Sequence, residues 1–391
     1  MSRFLFVVPP LTGHTNPTVT VARELAAAGH EVAWTAYREV VEKLLPPGAR
    51  LIPVGPSLPS DLVGQISERS RGLRGPSAFK FLWEEFLHPL ASSMVQGVEA
   101  AVDEFRPDVL VVDQQAFAGA LVARRRGLRW ATSATTSAEF TNPYEGLPRL
   151  GEWVVESLRA FQREQGVSEE EAARGDLRFS DHLVLVFSSR ELVGAEREFP
   201  AHYRFVGPSF AGRVEDLDGF PWPWLAEVPR VLVSLGTVNA EAGDRFFRAV
   251  VEGLGGRDLQ VILVAPPERV GPVPDNILVR GHVPQLALLE RVDAVVSHGG
   301  HNTVCETLAR GLPLVVAPIR DDQPVVAQQV VAAGAGVRVK FGRIRARDIA
   351  EAVGEVLTKP AYRAAAQRIR ASFAAAGGPA AAARALEELA C

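Results

Sequence analysis

Short, nearly uninterrupted runs of valine, isoleucine and leucine recur along this chain and constrain its fold more than any other feature. They lie at residues 4–8, 31–35, 108–112, 130–133 and 183–187, and again at 231–235, 261–264, 277–279, 294–297, 314–317 and 337–339. A strand with one exposed face alternates apolar and polar residues, whereas a parallel strand covered on both faces is apolar throughout. Between the runs lie helical patterns such as 19–28, which stops at Gly29. The pattern predicts an α/β protein with doubly wound parallel sheets.

The alternation of strands and helices is interrupted once, at residues 209–229. This segment contains three prolines and has neither a helical nor a strand period. We therefore predict a first domain over 1–208, a linker over 209–229 and a second domain over 230–372. The alanine-rich end is predicted to form two helices, the last of which, within 373–391, packs back on the first domain.

Charge and cysteine content exclude several classes of protein. The 391 residues include 42 basic and 46 acidic side chains, whereas proteins that bind nucleic acid usually carry a basic surface. Two cysteines cannot form a disulfide framework, which favours a reducing compartment. The first apolar run, 4–8, is far shorter than the roughly 20 residues that a membrane helix needs. We therefore expect a cytoplasmic protein with no transmembrane segment and no nucleic-acid partner.

In the first half, a histidine and an aspartate each follow a predicted strand. His14 lies in the turn after 4–8, and Asp113 ends the run that begins at residue 108. Because ligands in open α/β sheets bind at the carboxyl ends of strands, we expect both side chains at one site. Imidazole is the commonest general base, and a carboxylate can stabilise the imidazolium. The structural alternatives are a solvent-exposed loop histidine and an aspartate that caps a helix.

The most distinctive part of the second half is the segment 281–323. There a predicted strand passes into His298-Gly299-Gly300, and a helix begins near residue 301. Glycines let backbone N–H groups approach a ligand, and the first turn of a helix favours anions. Together with the Thr303 hydroxyl, these groups suit a diphosphate.

Other strand ends of the second half add polar groups of the kind that bind a nucleotide sugar. Glu306, one turn inside the helix, suits ribose hydroxyls. Further candidates are Ser234, Gly236 and Thr237 as a second phosphate turn, and Asp322 and Gln323 for sugar hydroxyls. A glycine turn before a helix also occurs for close packing alone, so the prediction depends on the combination.

Several other functional motifs are missing from the sequence. It contains no G-x-G-x-x-G, no G-x-x-x-x-G-K-[ST] and no G-x-S-x-G, so nothing indicates a dinucleotide fold, a P-loop or a serine nucleophile. The D-x-D pair of Asp216 and Asp218 falls in the predicted linker, and His298 and His301 lack further ligands at a suitable spacing. We predict no metal site.

These residues, in this order, resemble the UDP-glycosyltransferase superfamily, whose members have the GT-B fold. The segment 281–323 is similar to the family's donor-binding signature, and the turn at His14 to its catalytic histidine turn. Asp113 is similar to the partner aspartate, and 234–237 to the second phosphate turn. The resemblance extends along nearly the whole chain, most closely to bacterial enzymes that glycosylate antibiotics, macrolide-type polyketides or carotenoids. It implies two Rossmann-like domains whose parallel sheets face each other across a cleft, the first for the acceptor and the second for the donor.

Position by position, the resemblance implies a donor site in the second half. Val283 and Gln285 take positions that contact the base and the ribose, and His282 stands where many relatives carry an aromatic that stacks on the base. The other implied contacts are His298, Gly300, Asn302 and Thr303 at the diphosphate, Glu306 at the ribose, and Asp322 and Gln323 at the sugar.

The activity that the resemblance implies is an inverting, metal-independent sugar transfer with His14 as the base. Its partners are a UDP- or dTDP-linked sugar as co-substrate and a hydrophobic small-molecule aglycone, with no other cofactor. The chain is expected to act as a monomer or homodimer, with or without an accessory activator protein. The alternatives are another enzyme of this fold, such as a sugar-nucleotide 2-epimerase or a cell-wall transferase, and a catalytically silent sugar-nucleotide-binding protein. The pair of His14 and Asp113 counts against the last, because a silent protein has no need of it.

The acceptor is expected among aromatic side chains of the first half. The candidates are Phe81, Trp83, Phe86, Phe117 and Phe140. Aromatic side chains suit a large apolar aglycone, and ordinary core packing is the alternative explanation for each of them.

Overall fold

The computed structural model describes residues 1–59, 69, 73, 75–141, 146–210, 215, 217–236 and 243–391. The chain divides into two units. The first unit consists of Met1–Phe187, Glu198–Ala211 and Ala376–Cys391, and the second of Ser188–Arg197 and Gly212–Ala375. The division therefore differs from the predicted boundaries at 208 and 230, because the chain passes between the units more than once.

The described residues of the first unit form a seven-stranded sheet in which every pairing is parallel. Its order is β3-β2-β1-β4-β5-β6-β7. The strands are β1 (Arg3–Val7), β2 (Glu31–Ala36), β3 (Arg50–Pro53), β4 (Val109–Asp113), β5 (Arg129–Ala134), β6 (Leu183–Val186) and β7 (Tyr203–Phe205).

Both faces of this sheet are covered, which explains its continuous apolar runs. In β1, Leu5 and Val7 face one core cluster, whereas Phe4 and Phe6 belong to a separate cluster on the other side. Because successive side chains of a strand point to opposite faces, burial on both sides requires apolar residues at every position.

The second unit repeats the architecture with a six-stranded parallel sheet of order β10-β9-β8-β11-β12-β13. Its strands are β8 (Arg230–Ser234), β9 (Gln260–Val264), β10 (Ile277–Arg280), β11 (Ala294–Ser297), β12 (Leu314–Val316) and β13 (Gly336–Arg338). Val231 and Val233 face one core cluster and Leu232 another. The predicted α/β class with two parallel sheets is confirmed.

Helices connect the strands in both units. The α-helices are, in chain order, Thr12–Ala27, Arg38–Val41, Pro76–Leu82, His88–Phe105, Phe117–Arg126, Pro148–Glu164, Glu169–Ala172, Arg190–Val193, Asp244–Leu254, Pro267–Val270, Gln285–Leu288, His301–Leu308, Gln323–Ala332, Ala346–Thr358, Pro360–Ala375 and Gly378–Ala390. Trp83–Leu87 is a π-helix, and the 3-10 helices are Glu42–Leu44, Glu139–Thr141, Trp222–Trp224 and Phe341–Arg343.

The structure adds two strands and lengthens one helix relative to the prediction. Strands β3 and β7 lie at the two edges of their sheet, where short segments with exposed residues are tolerated. The first helix begins at Thr12 rather than near residue 19, so Pro17 lies inside it and His14 in its first turn.

The predicted linker and the C-terminal helix make contacts in different units. In the predicted linker, the Glu215 carboxylate accepts the N–H groups of Leu286 and Ala287 at 2.9 and 3.0 Å, within the second unit. Asp216 lies outside the described residues. The C-terminal helix Gly378–Ala390 packs through Leu386 into the core cluster of the first unit.

Each sheet reverses its strand order at one point, and polar residues follow the strands there. In the first unit, β1 lies between β2 and β4; in the second, β8 lies between β9 and β11. Connections from the two neighbouring strands leave in opposite directions at such a point, which opens a crevice at the carboxyl edge. The candidate residues lie at both of these positions.

Candidate active site

At the reversal point of the first unit, His14 meets Asp113. The imidazole Nδ1 lies 2.9 Å from Asp113 Oδ1 and 3.0 Å from Oδ2. The carboxylate is fully buried, whereas 17% of the histidine side chain is exposed. A buried carboxylate beside Nδ1 holds the ring and stabilises its protonated form, leaving Nε2 as the basic nitrogen.

Two donors orient the Asp113 carboxylate, and sequence reasoning missed both. The backbone N–H of Gln115 donates to Oδ1 at 2.9 Å, and the Thr135 hydroxyl donates to Oδ2 at 2.9 Å. Thr135 also lies 2.8 Å from His14 Nδ1. Thr135 directly follows β5, so its position at a strand end was the one signal in the sequence.

A second charged pair lies buried close to this dyad. Arg178 Nη1 is 3.6 Å from Glu139 Oε2, and only 8% and 10% of these side chains are exposed. Burial raises the pKa of Glu139, while the positive charge of the Arg178 guanidinium opposes the rise.

At the reversal point of the second unit, two adjacent strands end in similar turns. The hydroxyl of Ser234, at the end of β8, accepts the N–H of Gly236 at 3.3 Å, and that of Ser297, at the end of β11, accepts the N–H of Gly299 at 3.1 Å. Both glycines have left-handed backbones, with φ of 73° and 90°. Two residues after Gly299, His301 begins the helix His301–Leu308.

The imidazole of His298, a residue of the second turn, lies beside Gly236 of the first turn and is 9% exposed. Burial lowers its pKa, and the negative charge of Asp322 and a hydrogen bond to the Ser234 backbone partly oppose this. The imidazole is therefore neutral near pH 7 before an anion binds, because its ordinary pKa is already about 6.5.

Glu306, the predicted contact of the ribose, forms a hydrogen bond with Gln285, a predicted contact of the base and ribose. Gln285 Nε2 donates to Glu306 Oε2 at 2.6 Å, and Glu306 is 3% exposed. The Gln323 Oε1 atom accepts the N–H groups of Ile319 and Arg320 at 2.9 and 3.1 Å, so this side chain shapes the turn after β12.

The structure places the other predicted donor residues around the same sheet edge. Asn302 and Thr303 are half-buried in the first helical turn after Gly300, and Asp322 is half-buried before the helix Gln323–Ala332. Val283 is buried and His282 exposed. Thr237 lies outside the described residues.

The described residues contain neither a candidate membrane-spanning helix nor a candidate metal-binding cluster. No helix there has the length and hydropathy to cross a membrane. No group of three or more His, Cys, Asp or Glu side chains there is arranged to hold a metal ion.

Comparison with known proteins identifies the family. Residues 248–389 match the erythromycin biosynthesis protein CIII-like C-terminal domain. The chain is 32% identical to 4'-demethylrebeccamycin synthase of Lentzea aerocolonigenes, over 96% of each sequence. The chain belongs to the UDP-glycosyltransferase superfamily. It is a glycosyltransferase of the antibiotic type.

Further relatives and solved structures agree with this assignment. The glycosyltransferase is 30% identical to demethyllactenocin mycarosyltransferase of Streptomyces fradiae, over 100% of this chain and 87% of that relative. It superimposes on the glycotransferase of kitacinnamycin with a TM-score of 0.75, at 26% identity over 99% of each chain. It matches CalG4, the calicheamicin glycosyltransferase, with a TM-score of 0.75 at 22% identity, over 100% of this chain and 98% of that one. The predicted GT-B fold is confirmed.

The aromatic residues predicted to contact an acceptor occupy two kinds of position in this glycosyltransferase. Trp83, Phe86 and Phe117 are 1%, 8% and 0% exposed and belong to one core cluster, in which Trp83 packs on Phe117 with ring centroids 5.4 Å apart. Phe140 is half-buried beside Phe205. Phe81 is also half-buried. Three of the five thus pack as core residues, and their contact with an acceptor stays a prediction.

Proposed function

We propose that this glycosyltransferase moves a sugar from a nucleotide diphosphate sugar to a hydroxyl of a hydrophobic small-molecule aglycone, with inversion at the anomeric carbon. The observation that carries the proposal is the contact between His14 Nδ1 and the buried Asp113 carboxylate at 2.9 Å. A histidine whose imidazolium is stabilised by a carboxylate suits the deprotonation of an acceptor hydroxyl, and direct attack by that hydroxyl is a single displacement.

In the proposed step, His14 Nε2 takes the proton of the acceptor hydroxyl while the hydroxyl oxygen bonds to the anomeric carbon. The bond from that carbon to the diphosphate oxygen breaks, and its electron pair leaves with the nucleotide diphosphate. Asp113 stabilises the imidazolium that forms. One displacement at the anomeric carbon inverts its configuration.

The second unit supports the leaving group in this proposal. His298, the N–H groups after Gly299 and the first turn of His301–Leu308 provide donors for a diphosphate, and the helix contains no acidic residue in its first turn. Because burial lowers the pKa of His298, its imidazole enters as a neutral hydrogen-bond donor. An arriving diphosphate raises that pKa, so His298 gains positive charge when it is needed.

The class of substrate is inferred from the relatives. Their names refer to rebeccamycin- and lactenocin-type compounds, which supports a natural-product aglycone. The donor is proposed to be a dTDP- or UDP-linked hexose, bound through the residues around Glu306 and His298.

Transfer assays with purified protein test the proposal. The wild type, His14→Ala and His182→Ala are each incubated with dTDP- and UDP-sugars and a panel of hydroxylated aglycones, and product and nucleotide diphosphate are quantified. We expect His14→Ala to lose about 10²–10⁴-fold in transfer while its affinity for the donor is retained. His182 is an exposed histidine of the same unit, so its variant should match the wild type. Near-normal transfer by His14→Ala would exclude the proposed base.

Two further measurements test the chemistry. The anomeric configuration of the product, measured by NMR, should be opposite to that of the donor, and retention would exclude a single displacement. Transfer should continue undiminished in excess chelator, because His298 and the helix N-terminus are proposed to stabilise the diphosphate. If chelator abolished transfer and Mg²⁺ restored it, the proposal that the transfer needs no metal would be overturned.

A further inference from the structure

Thr135 contacts both members of the proposed catalytic pair. Its Oγ1 lies 2.8 Å from His14 Nδ1 and 2.9 Å from Asp113 Oδ2, and the residue is 3% exposed. The strand register explains the contact. Ser133 of β5 pairs with Asp113 of β4, and Thr135 follows two residues later on the same side of the chain.

The positions of the protons follow from the chemistry of these groups. An ionised carboxylate only accepts, so the single Thr135 proton is directed to Asp113 Oδ2, and a lone pair of Oγ1 then faces His14 Nδ1. Nδ1 is thus surrounded by three acceptor oxygens, at 2.8, 2.9 and 3.0 Å. If Nδ1 carried no hydrogen, its lone pair would face the lone pairs of all three oxygens, which is repulsive. The arrangement therefore requires hydrogen on Nδ1, which leaves the lone pair on Nε2.

The carboxylate is fixed at both oxygens by this arrangement. Gln115 N–H holds Oδ1 at 2.9 Å and the Thr135 hydroxyl holds Oδ2 at the same distance. The Gln115 contact comes from the backbone and survives side-chain substitution. The Thr135 contact is the one that a side-chain substitution can remove while His14 stays in place beside the carboxylate.

We propose that Thr135 is a positioning residue of this glycosyltransferase: its hydroxyl keeps the Asp113 carboxylate and the His14 ring in register, so that Nε2 is presented as the base. The proposal rests on the proposed role of His14. Thr135 acts through Asp113 and His14, and its effect is therefore expected on turnover rather than on donor binding.

Thr135→Val tests this, because valine has nearly the same shape and lacks the hydroxyl. We expect kcat to fall about tenfold or more, as for loss of a hydrogen bond to a charged group, with KM for the acceptor and Kd for the donor nearly unchanged. Thr135→Ser keeps a hydroxyl and should retain most of kcat. Thr135→Ala is a second hydroxyl-free variant if the valine variant does not fold, and thermal unfolding checks each protein.

A double-mutant cycle separates positioning from general structural support. In the Asp113→Asn background, the partner that Thr135 orients is already altered, so Thr135→Val should cost little more. Additive losses would show that Thr135 acts independently of Asp113 and would overturn the inference. A rise in acceptor KM at unchanged kcat would overturn it as well, because it would make Thr135 a substrate contact.

Different outcomes exclude the proposed base and the positioning role of Thr135. If His14→Ala is fully active, the proposed base is wrong whatever Thr135→Val does. If His14→Ala is inactive and Thr135→Val retains wild-type kcat, the base stands and the positioning role of Thr135 is excluded.

Discussion

Gly236 lies so close to His298 that a methyl group on Gly236 would stand 2.6 Å from the imidazole Cε1. A methyl group on Gly300 would likewise stand 2.5 Å from Nε2 of the same ring. The backbones of two turns thus enclose the side chain that is proposed to face the diphosphate. Glycine at both positions is required by the ring, in addition to any close approach of a ligand.

Gly236→Ala is therefore expected to weaken donor binding. The new methyl group displaces the His298 ring, and the left-handed backbone at φ 73° is unfavourable for alanine. We expect the Kd for dTDP or UDP, measured by calorimetry, to rise about tenfold or more, comparable to the loss of one hydrogen bond to a charged group. Gly219→Ala, in the same unit with open space around it, is the control and should bind normally. Equal affinities for the two variants would show that His298 does not contact the diphosphate.

Much of the fold follows from the sequence because burial on both faces leaves a readable pattern. Runs such as 4–8 are apolar at every position, and Leu5 and Phe6 indeed enter cores on opposite sides of the sheet. The edge strands β3 and β7 lack this pattern, because an edge needs neither full length nor two buried faces.

The site was predictable only where a residue type and a strand end coincide. His14 and Asp113 met that condition, and the topology brings them together. Thr135 did not stand out, because it begins a run of hydroxyl residues, 135–137, and only the pairing of β5 with β4 selects one of them. Trp83 illustrates the opposite problem, since an aromatic in an apolar segment has the same pattern whether it packs in a core or contacts a ligand.

Glu306→Gln is predicted to weaken nucleotide binding through the ribose. Glu306 is nearly fully buried, and its Oε2 accepts from Gln285 at 2.6 Å, so the carboxylate is held in one orientation. Loss of its charge should raise the Kd for UDP or dTDP about tenfold or more. Pyrophosphate, which has no ribose, should bind the wild type and Glu306→Gln equally. Glu290→Gln, at an exposed position, is the matched control and should bind the nucleotide like the wild type. An equal loss for pyrophosphate would place Glu306 at the phosphates instead.

His88 is predicted to make the first unit less stable in acid. Burial lowers the pKa of His88 below its usual value of 6.5, and the negative charge of Glu164 only partly opposes this. The unfolded chain therefore binds more protons than the native one below about pH 6.5, so the free energy of unfolding falls as the pH falls through that range. His88→Gln does not titrate, and its urea unfolding should lose less stability between about pH 7 and pH 5. His182→Gln, at an exposed position, should follow the wild type; the same pH slope for His88→Gln would contradict the prediction.

Gly97→Ala is predicted to destabilise the first unit although Gly97 lies inside a helix, where alanine is usually preferred. Gly97 belongs to His88–Phe105, and a methyl group there would lie 2.0 Å from the carbonyl oxygen of Val54. Because that contact is with backbone, the helix must move away, at about 1–3 kcal/mol or more of unfolding free energy. Gly354→Ala, within Ala346–Thr358 and with open space around it, should instead stabilise by about 0.5–1 kcal/mol. Thermal and urea unfolding of both variants decide between close packing and helix propensity, since propensity alone predicts a gain at both positions.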